Sequence, residues 1–255
     1  MTDILQHTEG GVLTLTLNRL ERKNALTVSM YETLTQALQQ ASANPEVKAC
    51  VIQGHETVFS AGNDLQEFLH PGQQPGPDSA VMVLLRTLAT FDKPLMACVC
   101  GPAVGIGTTL LLHCDMVVAG DNAMFALPFI NLGVCPEAAS SLLLPQRVGM
   151  ARAAELLMLG EPFSAQSAED WGLVNRVVPP TEASAVAALM ARKLADKPLD
   201  SLMTTKRLLR QGQQSAVLQS MHTEMGEFAR LLKAPAAREA MQAFLEKRKP
   251  NFSSL

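Results

Sequence analysis

Residues 95–100, Leu-Met-Ala-Cys-Val-Cys, are six consecutive apolar positions that run straight into Gly101-Pro102-Ala103-Val104-Gly105-Ile106-Gly107. A short, wholly apolar run of this kind suits a strand buried on both faces, the pattern of a parallel sheet. The glycine-rich turn then opens onto a helix over 108–113, and Met116-Val117-Val118-Ala119 reads as another buried strand. Strand, turn, helix, strand in this order directs the chain to an α/β architecture.

The preceding residues repeat the alternation. Val12-Leu13-Thr14-Leu15-Thr16-Leu17 has the period of two expected of a half-buried strand. Thr27 or Ser29 is placed to cap a helix reaching about residue 43, with Met30, Leu34, Leu38 and Ala41 near helical spacing. Residues 49–53 form a short apolar strand and 59–65 a loop. Residues 70–78, dense in Gly and Pro, read as a surface loop. A helix over 79–91 is ended by Lys93-Pro94. From about residue 138 helical patterns dominate: 151–159, 165–171, 181–195, 198–211 and most of 216–247, with Gly212 as a stop and one strand at 174–178. The expected division is an α/β core over 1–195 and a helical region over 196–255. Neither a short repeat nor a heptad run is visible.

Composition narrows the function. Of 255 residues 47% are hydrophobic and 18% charged, the balance of a globular enzyme. The net charge of −3, without a basic stripe, argues against nucleic-acid binding. Cys50, Cys98, Cys100, Cys114 and Cys135 are odd in number and mostly sit in apolar runs, so they read as reduced, buried thiols. No His or Cys partner stands at metal-ligand spacing, so no metal is expected. The N-terminus lacks the pattern of a secretory signal, and Ser253-Ser254-Leu255 is a peroxisomal-like ending without its central basic residue. The longest apolar stretch, 95–112, is broken by Gly101, Pro102, Gly105 and Gly107. A cytoplasmic protein with no membrane partner is expected.

Two glycine-bearing loops carry the chemical signal. Ser60-Ala61-Gly62-Asn63-Asp64 and Gly101–Gly107 each follow a strand. Small residues let backbone N–H groups approach a ligand, and the second loop also has a helix N-terminus behind it. Two N–H groups converging on one carbonyl oxygen make an oxyanion hole. Ordinary strand-to-helix packing turns have the same look. The second loop is not a dinucleotide fingerprint, because Leu110 stands where the third glycine belongs, and no Gly-Lys-Ser/Thr follows to make a P-loop. Glu137, in Pro136-Glu137-Ala138-Ala139-Ser140-Ser141, has neighbours almost all small or apolar. That favours a raised pKa and an acid/base role, and equally a glutamate placed at a helix N-terminus behind Pro136.

These motifs taken together resemble the crotonase, or enoyl-CoA hydratase/isomerase, superfamily over nearly the whole chain. The resemblance is carried by Asn18-Arg19-Leu20-Glu21-Arg22-Lys23-Asn24-Ala25-Leu26, the 59–65 loop, Lys93-Pro94-Leu95-Met96-Ala97, the 101–107 loop, 114–119 and 164–174. It implies a spiral of ββα units with C-terminal helices covering the site, assembled as a trimer or a pair of trimers. It implies an acyl-CoA thioester substrate, with coenzyme A part of the substrate and no resident cofactor. The backbone N–H groups of Asn63 and Ile106 would form the oxyanion hole. Ala25, Ser60, Ala61, Gly62, Asp64, Leu65 and Gly105 would lie along the substrate path, and Arg22 and Lys23 near the CoA phosphates. Lys247-Arg248-Lys249 and Phe252 are further candidates to cover CoA.

A hydratase of this family uses two glutamates. Here those positions look like Thr109 and Phe129, neither able to exchange a proton near neutral pH. The 60–65 loop, Met124–Phe129 and Pro136-Glu137 are similar to the peroxisomal-type Δ3,Δ2-enoyl-CoA isomerases, whose single acid/base glutamate matches Glu137. The expectation is a 3-enoyl-CoA isomerase. Another crotonase reaction, such as hydration, and a non-catalytic acyl-CoA-binding protein are the alternatives. His113 and Asp115 are expected to be structural, Asp64 to brace its loop, and Trp171 to be core; His55, His70 and His222 have no identifiable partner.

Overall fold

The computed structural model describes residues 2–68, 76–246 and 248–253. His70, most of the expected 70–78 loop, Lys247, Ser254 and Leu255 lie outside the described residues. The strands are β1 (Ile4–Glu9), β2 (Val12–Leu17), β3 (Ala49–Gln53), β4 (Leu95–Val99), β5 (Pro102–Val104), β6 (Met116–Gly120), β7 (Met124–Ala126), β8 (Phe163–Ser164) and β9 (Arg176–Val178). The helices are α1 (Val28–Ala43), α2 (Leu65–Phe68), α3 (Ala80–Thr90), α4 (Ile106–Thr109), α5 (Ser140–Val148) and α6 (Met150–Leu159), followed by α7 (Ala165–Asp170), α8 (Pro180–Ala195), α9 (Leu199–Arg210), α10 (Gln214–Leu232) and α11 (Pro235–Leu245).

A six-stranded sheet runs β1-β2-β3-β4-β6-β9, parallel except for the edge strand β1. A small second sheet runs β5-β7-β8. The chain passes from β4 to β5 and from β6 to β7, so successive turns contribute one strand to each sheet. All five residues of β4 are buried, as its apolar run requires. One face of the large sheet is covered by α8. Its Ala183, Ala187, Ala191 and Ala195 recur every fourth residue and let the helix sit close against Val51, Met96, Cys98 and Val118. The other face carries the main core, with α1 and α3 packed together over it. Thr27 caps α1, its Oγ1 accepting from Met30 N at 3.2 Å.

Two departures from the expected layout have plain causes. The long helix expected over 216–247 is broken into α10 and α11. Pro235 lacks an N–H and forces Ala234 into an extended conformation (φ −73°, ψ 156°). Strand β1 was not foreseen because five of its six residues are exposed, leaving only Ile4 to mark a core face. Among the described residues no helix is long and apolar enough to cross a membrane.

Candidate active site

β3 and β4 are parallel neighbours, so the loops that follow them leave the sheet at the same edge and meet. A bridge pairs Ser60 with Ala103. Phe59 N and Ser60 N donate to Pro102 O at 3.1 and 3.0 Å, and Val104 N donates to Ser60 O at 2.9 Å. Gly62 makes the approach possible: its φ is +93°, and a Cβ there would stand 2.9 Å from Val104 O.

The remaining polar groups of the first loop are nearly all engaged from below. Asn24 is buried, its Nδ2 donating to Phe59 O at 3.0 Å and its Oδ1 accepting from Arg19 N at 2.8 Å. Ser60 Oγ donates to Asn24 O at 2.8 Å and accepts from Gly62 N at 3.1 Å. Ala61 N donates to Lys23 O and Asp64 N to Leu26 O, both at 2.9 Å. The Asp64 carboxylate braces the loop, pairing with Arg19 Nη1 at 2.7 Å and capping α2 through Gln66 N at 3.0 Å. Burial alone would raise its pKa, but the Arg19 hydrogen bond and these amides outweigh it and lower the value. In the second loop Gly105 N, Thr108 N and Thr109 N are engaged, each at 2.9 Å. The N–H groups of Asn63, Ile106 and Gly107 find no acceptor among the described residues, and the first two belong to residues that line a large cavity. Ile106 is the first residue of α4, where no intrahelical partner exists.

That cavity, of about 560 Å³, is lined by Arg22, Ala25, Ala61, Gly62, Asn63, Asp64, Gly105 and Ile106 on one side. Phe129, Leu132, Phe228, Met241, Phe244, Arg248 and Pro250 line the rest. The cavity is mostly apolar, with Arg22 and Arg248 as its cations. Ser60, expected along the substrate path, and Lys23, expected near the CoA phosphates, do not line this cavity. Ser60 is fully buried beneath the loop, because its hydroxyl is spent on Asn24 and Gly62. Lys23 is exposed and not part of the lining, its left-handed backbone (φ 51°) turning the chain out of a short 3-10 helix. Leu65 begins α2.

Glu137 borders an adjoining small apolar cavity with Val81, Met82, Ala138, Met221, Met225 and Phe228, and Phe228 lines both cavities. The residue is only partly covered, yet its Oε1 is sealed from solvent and has no hydrogen-bond partner among the described residues. Burial first, and then the charge of Glu224, push its pKa up to about 8.

The backbone just after Glu137 is strained. Ala138 and Ala139 are consecutive left-handed alanines, φ 63° and 56°, a conformation that costs about 1–2 kcal/mol for each residue bearing a Cβ. Two neighbours hold it. His113 Nε2 meets Ala138 O at 2.8 Å; burial lowers the pKa of His113 to about 4, so the ring stays neutral and donates. Glu224, from α10, accepts from Ala139 N at 2.6 Å, from Ser141 N at 2.9 Å and from the Ser141 hydroxyl, acting as an N-terminal cap for α5. Asp115, also expected to be structural, pairs with Lys206 at 2.8 Å and Arg210 at 2.6 Å and receives Leu95 N at 2.8 Å. Trp171 packs against the core beside Phe163, with Arg152 over its ring.

Two residues that sequence reasoning missed belong here. Tyr31 donates its phenol to Asn63 Oδ1. Burial first, then the charges of Glu137 and Glu67, raise its pKa well above the ordinary value. It stands beside the Met30–Leu34–Leu38–Ala41 stripe of α1, and nothing in the sequence marked it for a site. Glu224, one acidic residue in a mixed helix, gave no sequence signal at all. Among the described residues no three His, Cys, Asp or Glu side chains gather as a metal site.

The profile described as enoyl-CoA hydratase/isomerase matches residues 7–254. The chain belongs to that family. The 2,3-dehydroadipyl-CoA hydratase of Escherichia coli (strain K12) is 36% identical over 252 residues, covering 99% of both chains. The enoyl-CoA delta isomerase 2 of Rattus norvegicus is 38% identical over 215 residues, covering 82% of this chain and 55% of that one. The crystal structure of an enoyl-CoA hydratase/isomerase from Pseudoalteromonas atlantica T6c superposes with a TM-score of 0.95 at 36% identity, covering 99% of this chain and 100% of that one. As an enoyl-CoA hydratase/isomerase, the protein carries out a reaction of that type on acyl-CoA thioesters.

Proposed function

We propose that the protein converts 3-enoyl-CoA to trans-2-enoyl-CoA with Glu137 as its single acid/base. The observation that carries this reading is the Glu137 carboxylate, unpartnered among the described residues and with its pKa raised to about 8, in a small cavity that shares Phe228 with the larger one lined by Asn63 and Ile106. Glu137 takes the proton from C2. The electron pair moves to the thioester oxygen, where the Asn63 and Ile106 amides hold the dienolate. Glu137 returns the same proton to C4 as the double bond settles between C2 and C3. A base that must become an acid in the next step works best with a pKa near the operating pH. The hole supplies the stabilisation without which a thioester α-proton is too weakly acidic.

Hydration would need a second proton-handling group. The two positions where the family's hydratases carry glutamates hold Thr109, buried with its hydroxyl unpartnered, and Phe129. The delta isomerase likeness supports the same choice. Of the two cations of the large cavity, Arg248 is tied to Glu239 and Glu246, and Arg22, without an ion pair among the described residues, is the side chain fitted to the CoA phosphates. CoA arrives and leaves as part of the substrate, and no resident cofactor takes part. Exposed Ile130, Met158 and Leu159 support assembly into trimers through that face.

The test is conversion of 3-hexenoyl-CoA beside hydration of crotonyl-CoA, in the wild type and in Glu137→Gln. Isomerisation much faster than hydration, with kcat down by about 10²–10⁴ in the variant and CoA affinity retained, is the expected outcome. Fast hydration, or an active variant, overturns the assignment. A pure acyl-CoA-binding protein would turn over neither substrate.

A further inference from the structure

The Asn63 side chain has so far had no role, and one contact gives it one. Tyr31 Oη donates to Asn63 Oδ1 across 32 residues of sequence. Tyr31 is 4% exposed and comes from α1, an element that contributes nothing else to the site. A buried phenol has one proton to give, and among the described residues this one has no other acceptor. Burial first, and then the charges of Glu137 and Glu67, keep it protonated, so it remains a donor throughout the working range. Glu67 is itself held in place, accepting from Val28 N at 2.9 Å at the start of α1.

An asparagine amide has an acceptor end and a donor end of nearly the same shape, and its neighbours decide which way it points. With Oδ1 taken by Tyr31, the Nδ2 end is left over. It makes no hydrogen bond among the described residues, and Asn63 lines the large cavity. We propose that Tyr31 is a positioning residue that fixes the Asn63 amide with its Nδ2–H₂ group toward the cavity, making that group a further donor to the thioester end of the bound acyl group. This rests on the isomerase reading for its chemistry. The site then presents two main-chain donors and one side-chain donor, and the last is held by a residue that never touches substrate.

The experiment is a double-mutant cycle on isomerisation of 3-hexenoyl-CoA with Tyr31→Phe, Asn63→Ala and the double variant. Both substitutions keep the residue 63 backbone N–H. Asn63→Ala should lower kcat by about 100-fold and Tyr31→Phe by roughly tenfold, with KM changed less than about twofold. The double variant should match Asn63→Ala alone, because without the amide there is nothing for Tyr31 to orient. Penalties that multiply, or a Tyr31→Phe variant with normal kcat, overturn the inference. A second readout separates it from the reaction assignment: the ultraviolet enolate band of bound acetoacetyl-CoA, which reports stabilisation of the thioester enolate without turnover. If the wild type shows the band but does not isomerise, the isomerase reading fails; a band weakened by Tyr31→Phe, weakened more by Asn63→Ala, and no further in the double than in Asn63→Ala still upholds the Tyr31–Asn63 unit. A band unchanged in both single variants sinks it.

Discussion

The two halves of this site are built in opposite ways. The side proposed to hold the oxyanion is main chain held by many small ties: the bridge between loops, the Asn24 and Ser60 hydrogen bonds, and the Arg19–Asp64 pair. The Glu137 side is a side chain left unpartnered among the described residues on a strained turn, its main chain held by His113, Glu224 and the Ser140 N–H and hydroxyl. A hydrogen-bond donor must be fixed but need not be reactive, so redundancy suits it. A base must stay free of donors to keep its proton affinity, and every additional hydrogen-bond donor to the carboxylate would lower its pKa. Damage should therefore be graded on the first side and abrupt on the second, except where a hole donor is itself removed.

The largest expected effect tests that exception. Ile106→Pro deletes one hole N–H at the first position of a helix, where proline's φ is tolerated. Gly105 ahead of it already has a glycine-only conformation (φ 55°, ψ −118°), and a Cβ there would meet nothing within 4 Å, so the conformation and not the space demands glycine. kcat should fall by about 10²–10³; a loss below tenfold would remove Ile106 from the hole. Next, Glu224→Ala strips the cap from α5 and the anchor from Ala139. Stability should drop by about 3 kcal/mol in urea titrations and kcat should fall with it. The milder Glu224→Gln removes a negative charge beside Glu137, so the rise of kcat/KM with pH, expected near 8 in the wild type, should move to lower pH. An unmoved profile would mean that Glu224 does not tune the base.

Stability should carry the same signature. The folded Glu137 holds its proton until about pH 8, whereas the unfolded chain releases it near its ordinary value of 4.5. Between those pH values the unfolded state has fewer protons, so stability declines as pH rises, by up to roughly 1.4 kcal/mol per pH unit. Thermal melts of Glu137→Gln should lack this decline, and a parallel decline in both proteins would contradict it. On the redundant side Ser60→Ala removes two of many ties and should cost about 1–2 kcal/mol with kcat reduced less than tenfold. The smallest effect is expected from Ala139→Gly, which relieves left-handed strain and should raise stability by about 0.5–1 kcal/mol at unchanged CoA affinity.

Much of this was legible because it depends on local pattern. The buried run at 95–100, the period-two strand at 12–17 and the stripe of α1 each declare themselves within a few residues. So did Gly62 and Gly105, since close approach and left-handed backbone need a specific residue type. Glu137 was legible from its apolar neighbours, although the residues alone left a capping role open, and its raised pKa is what those neighbours cause. The strands β5, β7 and β8 have three, three and two residues, too short for any period to show. Tyr31 and Glu224 were illegible because their roles come from partners 32 and 85 residues away. The alanines at 138 and 139 hide best of all, as nothing about alanine announces a left-handed turn that distant contacts impose.

The large cavity draws its walls from both ends of the chain: Arg22 and Ala25 stand across from Met241, Phe244 and Arg248. During synthesis the first wall exists long before the last. A growing chain can assemble its sheet and both glycine loops while the far wall is still being translated, so the ability to enclose an acyl-CoA arrives with the final turns of helix. A polypeptide still lacking the helices that carry Phe228, Met241 and Phe244 would leave the Asn63 and Ile106 side of the cavity open to water.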